Sequence, residues 1–435
     1  MDTMQIPIES WSEKKSSARV EAFLQRPAFV PEAEAAASAV LADIRANGDK
    51  AVLAAVQKFD HAKLTPKNMR VTSGELAAAV KAVPVSVKRA VKLAHERVTT
   101  YAESGMRSPW YYQTEQGGLT GEFYSPMDRV GVYVPGGTAP LASTSIMTVT
   151  FARVAGVKEI VACTPCNAKG EVNPVLLYAL KLAGATEIYR VGGIQSIGMM
   201  AFGTKTVRKV QKIVGPGNAY VTAAKRQVYG FVAIDQVAGP SEIAVLADET
   251  ANPAWIAADL MSQAEHGSGH EQALLVTTSR TFAETVWREM TKQLKERSRA
   301  AMVQRVLDNG GVLFVVVPSL RQGMELVNRF APEHFEIQVK DARKWMEQVR
   351  AAGAVFVGPW TPESAGDFVA GPSHVLPTGG AAAMFNGLTV DDFRRRHSFV
   401  EFTEKELRET LPAIETFAKV EGLDAHGYSA SIRFK

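Results

Sequence analysis

Cysteine is nearly absent. Cys163 and Cys166 are the only two in 435 residues, which excludes a disulfide framework and favours a reducing compartment. They form one Cys-x-x-Cys behind the strand-like Glu159-Ile160-Val161-Ala162. A single pair cannot build a four-cysteine zinc knuckle, and loop packing is preferred to a redox role. Charge of either sign is not in excess: 49 Lys and Arg against 45 Asp and Glu leave +4, with no basic block resembling a nucleic-acid footprint. The densest basic run, Arg394-Arg395-Arg396, reads as a solvated helix or loop face, with an anion contact as the sharper alternative. No apolar run approaches the ~20 residues of a membrane span. The N-terminus, with Asp2 and Glu9, lacks a signal-peptide pattern. No Gly-x-Gly-x-x-Gly stands at a strand-to-helix turn. These absences leave a cytoplasmic enzyme with neither nucleic-acid nor membrane partners.

The chain is too long for one core, so two or three domains are expected. Residues 1–28 are mixed and polar, an arm or short helix. From Pro31 the pattern is helical: Val40, Leu41 and Ile44 on one face, a break at Gly48, a second segment from Asp49 to Phe59, and another from Leu76 to about Ala102. The texture changes at Arg129. Val130-Gly131-Val132-Tyr133-Val134 reads as a buried strand stopped by Pro135-Gly136-Gly137. Short apolar strands then alternate with helices to about Val228, and again from Ile243 to Val357, with a break near Gly239-Pro240. That alternation means βαβ units and parallel sheets. The expected fold is α/β: two Rossmann-like parallel-sheet domains with small N- and C-terminal helical extensions. Two successive α/β blocks with a break near 240 are therefore expected.

Histidines and carboxylates mark the chemistry. Gln263 and His266, at i and i+3 near the end of a predicted helix, share one face. Glu333-His334 follows the helix-ending Ala331-Pro332. Asp367 and His374 lie seven apart, His374 in the rigid turn Gly371-Pro372-Ser373-His374, and His426 lies near the C-terminus. Gln, His, Asp and His are N and O donors suited to zinc with room for substrate. A carboxylate beside a histidine suits proton transfer near neutral pH. His270 makes His-x-x-x-His with His266, without the glutamate of the zincin pattern. His61, His95 and His397 read as structural or surface residues. Three Gly-rich turns follow strands of the first block: Gly136-Gly137, Gly192-Gly193 and Gly215-Pro216-Gly217. Such turns let backbone approach a phosphate at the carboxyl ends of strands.

Taken together, these segments resemble the histidinol dehydrogenase family. The matching words are Val130 to Pro140, Val214-Gly215-Pro216-Gly217-Asn218, Ala238-Gly239-Pro240-Ser241-Glu242, Ser262-Gln263-Ala264-Glu265-His266, Ala331-Pro332-Glu333-His334, Gly371 to Thr378 and Glu421 to His426, all in family order. The resemblance implies a zinc-dependent, NAD-linked four-electron oxidation of L-histidinol to L-histidine through the aldehyde. It implies one zinc per subunit on Gln263, His266, Asp367 and His426. Glu333 and His334 would be the acid–base residues, with His374 assisting. Substrate would meet Ser241, Gln263, His266, His334, Asp367, His374, Glu421 and His426; NAD would meet Tyr133, Gln195 and Asn218. It also implies a homodimer with shared active sites, in which the C-terminal segment brings Glu421 and His426 to the partner. The finer division it implies is an arm over 1–28, a discontinuous domain of 29–132 plus 241–388 carrying the metal and catalytic residues, a cofactor-side domain over 133–240, and a C-terminal segment over 389–435. Around the proposed pocket the chain departs from the family: Gly267-Ser268-Gly269-His270-Glu271, Ser373 and Ala381 to Asn386. These leave a related dehydrogenase of another polar alcohol, such as 2,3-dihydroxypropane-1-sulfonate, as the alternative, with Arg394–Arg396 as weak support for a sulfonate.

Overall fold

The computed structural model describes residues 8–26, 30–136 and 140–435. Residues 1–7 and 27–29 around the expected arm, and Gly137 of the first Gly-rich turn, lie outside the described residues.

Continuous apolar runs form strands covered on both faces. Arg129–Tyr133 and Glu242–Ala247 are buried at every residue. Each founds its own parallel sheet. Around the first, five strands lie in the order Glu187–Tyr189, Glu159–Cys163, Arg129–Tyr133, Lys212–Val214, Ala233–Ile234. Around the second, six lie in the order Ile8–Ser10, Val312–Val316, Gln272–Thr277, Glu242–Ala247, His334–Gln338, Ala354–Val357. After each founding strand the chain winds to one edge, then returns to its other side. A topological switch point therefore falls beside Tyr133 in one sheet and beside Glu242–Ala247 in the other, where open α/β sheets form crevices. The expected pair of parallel-sheet units is what the chain builds.

The helices between residues 31 and 104 belong to a different sheet from the one expected. The sequence grouping put 29–132 with 241–388. Instead, Pro31–Asn47 packs on Gly193–Phe202 and Ala219–Val228, and Val85–Ser104 packs on Ala142–Val154, all around the five-stranded sheet. Ala33, Ala37, Leu41 and Ile44 share one core with Tyr133, Val161, Ile197 and Met200. A close helix approach makes this possible. A Cβ on Gly198 would lie 2.9 Å from Ile44 Cδ1 and 3.0 Å from Leu41 Cδ2. The strand Arg129–Tyr133, which straddles the expected boundary, is the centre of this sheet. The helical stretch expected from Leu76 to Ala102 is two helices, Ser73–Ala82 and Val85–Ser104. Pro84 explains the break, since proline holds Val83 in the extended region.

The arm joins the six-stranded sheet. Ile8–Ser10 adds an edge strand, Phe23 stacks on Phe330 with centroids 5.6 Å apart, and Arg26 reaches Glu242 at 2.7 Å. A third, antiparallel sheet of Trp110–Gln113, Leu119–Pro126 and Arg394–Glu401 carries the C-terminal helices Glu404–Glu421 and Asp424–Ser431. Arg394–Arg396 thus lie on a strand, not the helix or loop face expected. Their guanidinium groups meet Asp391 at 3.1 Å, Asp128 at 3.6 Å and Glu122 at 3.5 Å, so acidic neighbours already answer their charge. Cys163 is buried at the end of its strand, and burial pushes its thiol up; the Cys166 thiol is pushed up to about 11 for the same reason. Neither resembles a reactive thiolate, in line with the packing role.

Gly198→Val should destabilise the protein by roughly 1–3 kcal/mol through overpacking against Leu41 and Ile44. A thermal melt indistinguishable from the parent would show that this helix contact is not tight.

Candidate active site

The helix Pro253–Ala264 starts on an Asn252 cap, whose Oδ1 accepts from Ala254 N at 2.9 Å. It ends at Glu265, ahead of two glycines in the left-handed region, Gly267 at φ +100° and Gly269 at φ +82°. Gln263 and His266 are therefore presented at a helix end. A second helix, Leu320–Phe330, stops at Ala331 with φ +47°, and Pro332 turns the chain so that Glu333 and His334 open a buried strand. The short helix Glu363–Phe368 carries Glu363 and Asp367 one turn apart. His334 Nε2 lies 3.6 Å from both Glu363 Oε1 and Asp367 Oδ1, and His374 Nδ1 lies 3.6 Å from Asp367 Oδ1. Ser262 Oγ donates to Glu363 Oε2 at 3.0 Å, which ties the Gln263 helix to the Asp367 helix. His266 reaches solvent, yet it is close enough to Asp367, His334 and His374 to feel their charges. It stands at the rim of the cluster.

Two of the histidines have defined tautomers. A carbonyl only accepts, so His334 Nδ1 donates to Glu242 O at 3.0 Å. In the neutral ring this leaves Nε2 with its lone pair, facing the acidic side and without a hydrogen-bond partner. His374 Nδ1 donates to Asp367 O at 3.1 Å, and its Nε2 accepts from Thr144 Oγ1 at 2.8 Å. Both of its nitrogens are committed, and burial holds its pKa down.

The electrostatics are unbalanced. Burial pushes the Glu333 carboxyl up to about 8, only partly offset by His334 and by Glu242 N, which donates to Glu333 Oε2 at 2.9 Å. Burial and repulsion from Asp367 raise Glu363. Burial alone would lower His334, but Glu333, Asp367 and Glu363 together raise it to about 10. Burial would raise Asp367 as well, yet His334, 3.6 Å away, and the charges of His374 and His266 hold it well below the usual carboxylate range. Three carboxylates thus converge on one imidazole. Gln263 is fully buried, and neither its Oε1 nor its Nε2 has a hydrogen-bond partner. Orphaned buried donor atoms beside converging carboxylates are what a cation site presents before loading. Single ligand atoms of His334, Glu363 and Asp367 lie within 4.8 Å of one another.

The cofactor-side residues form a second cluster. Tyr133 closes the founding strand of the five-stranded sheet, and its hydroxyl accepts from Gly193 N at 3.4 Å. Gln195 is buried near Asp60, and its Oε1 has no hydrogen-bond partner. Burial pushes the Asp60 carboxyl up to about 6. Asn218 caps the helix Ala219–Val228 and remains exposed. All three follow the carboxyl ends of strands around the switch point. By contrast Glu242 and His334 open their strands, so the acidic cluster lies at the amino edge of the six-stranded sheet. The two edges face each other through the His374–Thr144 hydrogen bond, because Thr144 is in the first turn of the helix that follows Tyr133.

Each expected site residue has a clear place. Glu333, His334, Asp367 and His374 converge, with His266 near enough to feel their charges, and Gln263 is buried on the helix that Ser262 ties to Glu363. Ser241 directly precedes Glu242, whose N–H binds Glu333. Glu421 and His426 are exposed on the C-terminal helices, with no hydrogen bond or ion pair to the cluster among the described residues. Sequence reasoning missed Glu363, Thr144, Glu242 and Arg26. The signal for Glu363 was present: it stands four before Asp367 and directly after Pro362, hence one turn up the same helix.

The comparisons agree with this site. A family model described as histidinol dehydrogenase matches residues 25–434. The chain belongs to the histidinol dehydrogenase family. It is 42% identical over 400 residues to the histidinol dehydrogenase of Synechococcus sp., with 92% of each chain covered. It is 44% identical over 397 residues to that of Geobacter metallireducens, covering 91% of this chain and 90% of the other. The crystal structure of histidinol dehydrogenase from Elizabethkingia anophelis superposes with a TM-score of 0.93 at 36% identity, over 99% of this chain and 98% of that one. As a histidinol dehydrogenase family member, the chain is an NAD-dependent oxidoreductase of a metal-using family. The rival sulfonated substrate gains nothing from these relatives, and the arginines that would have served it are paired. No helix among the described residues is long and apolar enough to cross a membrane.

If the acidic cluster is the cation site, zinc should raise the melting temperature of the metal-stripped enzyme. Asp367→Asn should weaken zinc binding by at least about tenfold, measured by calorimetric titration. Equal zinc affinity in parent and variant would remove Asp367 from the site.

Proposed function

We propose that this chain catalyses the zinc-dependent, four-electron oxidation of L-histidinol to L-histidine with two NAD molecules. The observation that supports this reading is the convergence of Glu363 and Asp367 on an imidazole whose free nitrogen faces them, with His266 near enough to feel the Asp367 charge and the Gln263 helix tied to theirs through Ser262. Gln263, His266 and Asp367 offer the O and N donors that zinc prefers, and the orphaned, fully buried Gln263 side chain fits a metal ligand. When bound, the ion supplies a Lewis-acid anchor for nitrogen and oxygen atoms of the amino alcohol, and NAD supplies the hydride acceptor.

The chain's own groups move the protons. With the negative charge that raises His334 offset by a cation at the neighbouring carboxylates, the neutral imidazole Nε2 takes the hydroxyl proton as the first hydride leaves the alcohol carbon, giving the aldehyde. The Nδ1 bond to the Glu242 carbonyl keeps the ring facing the reacting group during this step. Water must then add to the aldehyde, and Glu333 takes the proton from that water. Its buried carboxyl, raised towards neutrality, can both accept and return a proton near physiological pH. His334 releases its first proton to solvent; as the second hydride leaves the hydrate it accepts one hydroxyl proton, and loss of the remaining acid proton to water yields the carboxylate. His374, with both nitrogens engaged, contacts substrate without carrying a proton. Tyr133, Gln195 and Asn218 hold the dinucleotide across the crevice facing the cluster, and Ser241 contacts substrate from the start of the neighbouring strand.

The fourth zinc ligand is His426, contributed by a second copy. In the proposed site one chain supplies Gln263, His266 and Asp367, while its own His426 and Glu421 are exposed on helices that pack chiefly on each other. Those helices also expose Phe417, Val420 and Tyr428, an apolar surface suited to a second subunit. The assembly is then a homodimer with one zinc per subunit and shared active sites. Free cysteines and a biosynthetic reaction consuming NAD fit the cytoplasm.

Purified enzyme should produce NADH from L-histidinol and not from 2,3-dihydroxypropane-1-sulfonate, and chelation should abolish the activity. His334→Ala should lower kcat by about 10²–10⁴ while bound zinc is retained; unchanged turnover would refute the base role. Subunit sharing has its own test. His334→Asn and His426→Asn chains, co-expressed with different tags and purified through both, should regain about half of parental activity, because one of the two sites is intact. A mixed dimer as inactive as either parent variant would overturn the crossover.

A further inference from the structure

We propose that Lys225 and Asp235 are positioning residues for the cofactor side, acting through a two-sided grip on Gly215. The proposal rests on the reading that Tyr133, Gln195 and Asn218 hold NAD.

Gly215 follows directly on the strand Lys212–Val214, whose pairing with Arg129–Tyr133 stops at Val214. Its polar groups lie outside that ladder and need other partners. The ion pair supplies both. Gly215 N donates to Asp235 Oδ2 at 2.7 Å, and Lys225 Nζ donates to Gly215 O at 2.8 Å. Lys225 Nζ also pairs with Asp235 Oδ1, which accepts from Gln236 N at 2.7 Å. The side chains of both residues are 3% exposed. Gly215 has φ +119°, and a Cβ there would lie 2.1 Å from Tyr133 O. The residue is thus pinned between a buried ion pair and the backbone of Tyr133.

Stability does not explain such a pair. Buried ion pairs add little over apolar residues of the same volume, and their distinctive effect is to fix one geometry. Here that geometry is passed on over a short distance. Only Pro216 and Gly217 separate the pinned Gly215 from Asn218, and the proline ring fixes one of the intervening dihedrals. Asn218 Oδ1 is held from the other side by Tyr220 N and Val221 N, each at 3.1 Å. Lys225 belongs to the helix that Asn218 caps, so one side chain joins that helix to the strand end. The ion pair therefore sets where Asn218 stands relative to Tyr133. The mechanism itself does not use either charge.

The test is steady-state kinetics of the zinc-loaded full-length enzyme with L-histidinol and varied NAD. Lys225→Met and Asp235→Asn should each raise the KM for NAD by about tenfold, while kcat at saturating NAD and the KM for L-histidinol stay within about twofold. A general folding defect would lower kcat and zinc content together. If either single variant does not fold, the double variant Lys225→Met/Asp235→Met removes both buried charges at once and should fold, still with a raised KM for NAD. Folded variants with parental KM for NAD would overturn the proposal. Asn218→Ala and Gln195→Ala separate the two ideas. If these weaken NAD binding while the ion-pair variants do not, the grip is wrong and the cofactor site stands. If none of the four affects NAD, the cofactor site itself is wrong.

Discussion

One electrostatic constraint shapes this molecule. Glu333, Glu363 and Asp367 are brought around a single imidazole, with buried Gln263 donor atoms beside them and no lysine or arginine among the groups acting on them. Burying carboxylates costs several kcal/mol each unless a cation or hydrogen bonds compensate. One backbone N–H and one hydroxyl supply some compensation: Glu242 N donates to Glu333 and Ser262 Oγ to Glu363. The remainder is what a divalent ion at the proposed site would offset, and the local chain geometry fits that role. Left-handed Ala331, Pro332, the glycines after His266 and the one-turn spacing of Glu363 and Asp367 all act to bring ligands to one edge of one sheet.

The second constraint is the meeting of two sheet edges. Dinucleotides bind at carboxyl ends of parallel strands, and the five-stranded sheet offers its switch point there. The acidic cluster lies at the amino edge of the other sheet, an unusual place for chemistry in an open α/β unit. The Thr144–His374 hydrogen bond shows why the arrangement works: the first turn of the helix after Tyr133 touches the side chain that donates to Asp367 O. Oxidant and substrate can therefore face each other without either sheet abandoning its ordinary topology. The arm contributes from the far side, where buried Arg26 meets Glu242, the residue whose backbone holds both Glu333 and His334.

Much of this was legible in the chain. Except for the two-residue edge strand Ala233–Ile234, which is too short to stand out, the strands from Glu159–Cys163 to Ala354–Val357 stand within a residue or two of their apolar runs, because buried parallel strands have few alternatives. Glu333-His334 was readable as a pair because Ala331-Pro332 announces a helix end. The membership of the early helices was not legible: an amphipathic stripe such as Leu41 and Ile44 shows that a face is buried, not which sheet it meets, and Gly198, which admits them, lies some 150 residues away. The antiparallel strand Arg394–Glu401 was hidden by its charge, since half-exposed strands alternate and three arginines mask the alternation. Glu363 is marked in the chain only by its place one turn before Asp367 and directly after Pro362, with no histidine beside it.

The account is tested most directly by anomalous diffraction at the zinc absorption edge from crystals grown with zinc. It predicts one strong peak per chain, within about 2.0–2.2 Å of ligand atoms from Gln263, His266 and Asp367. A peak bound elsewhere, or a cluster that stays empty at saturating zinc, would contradict it.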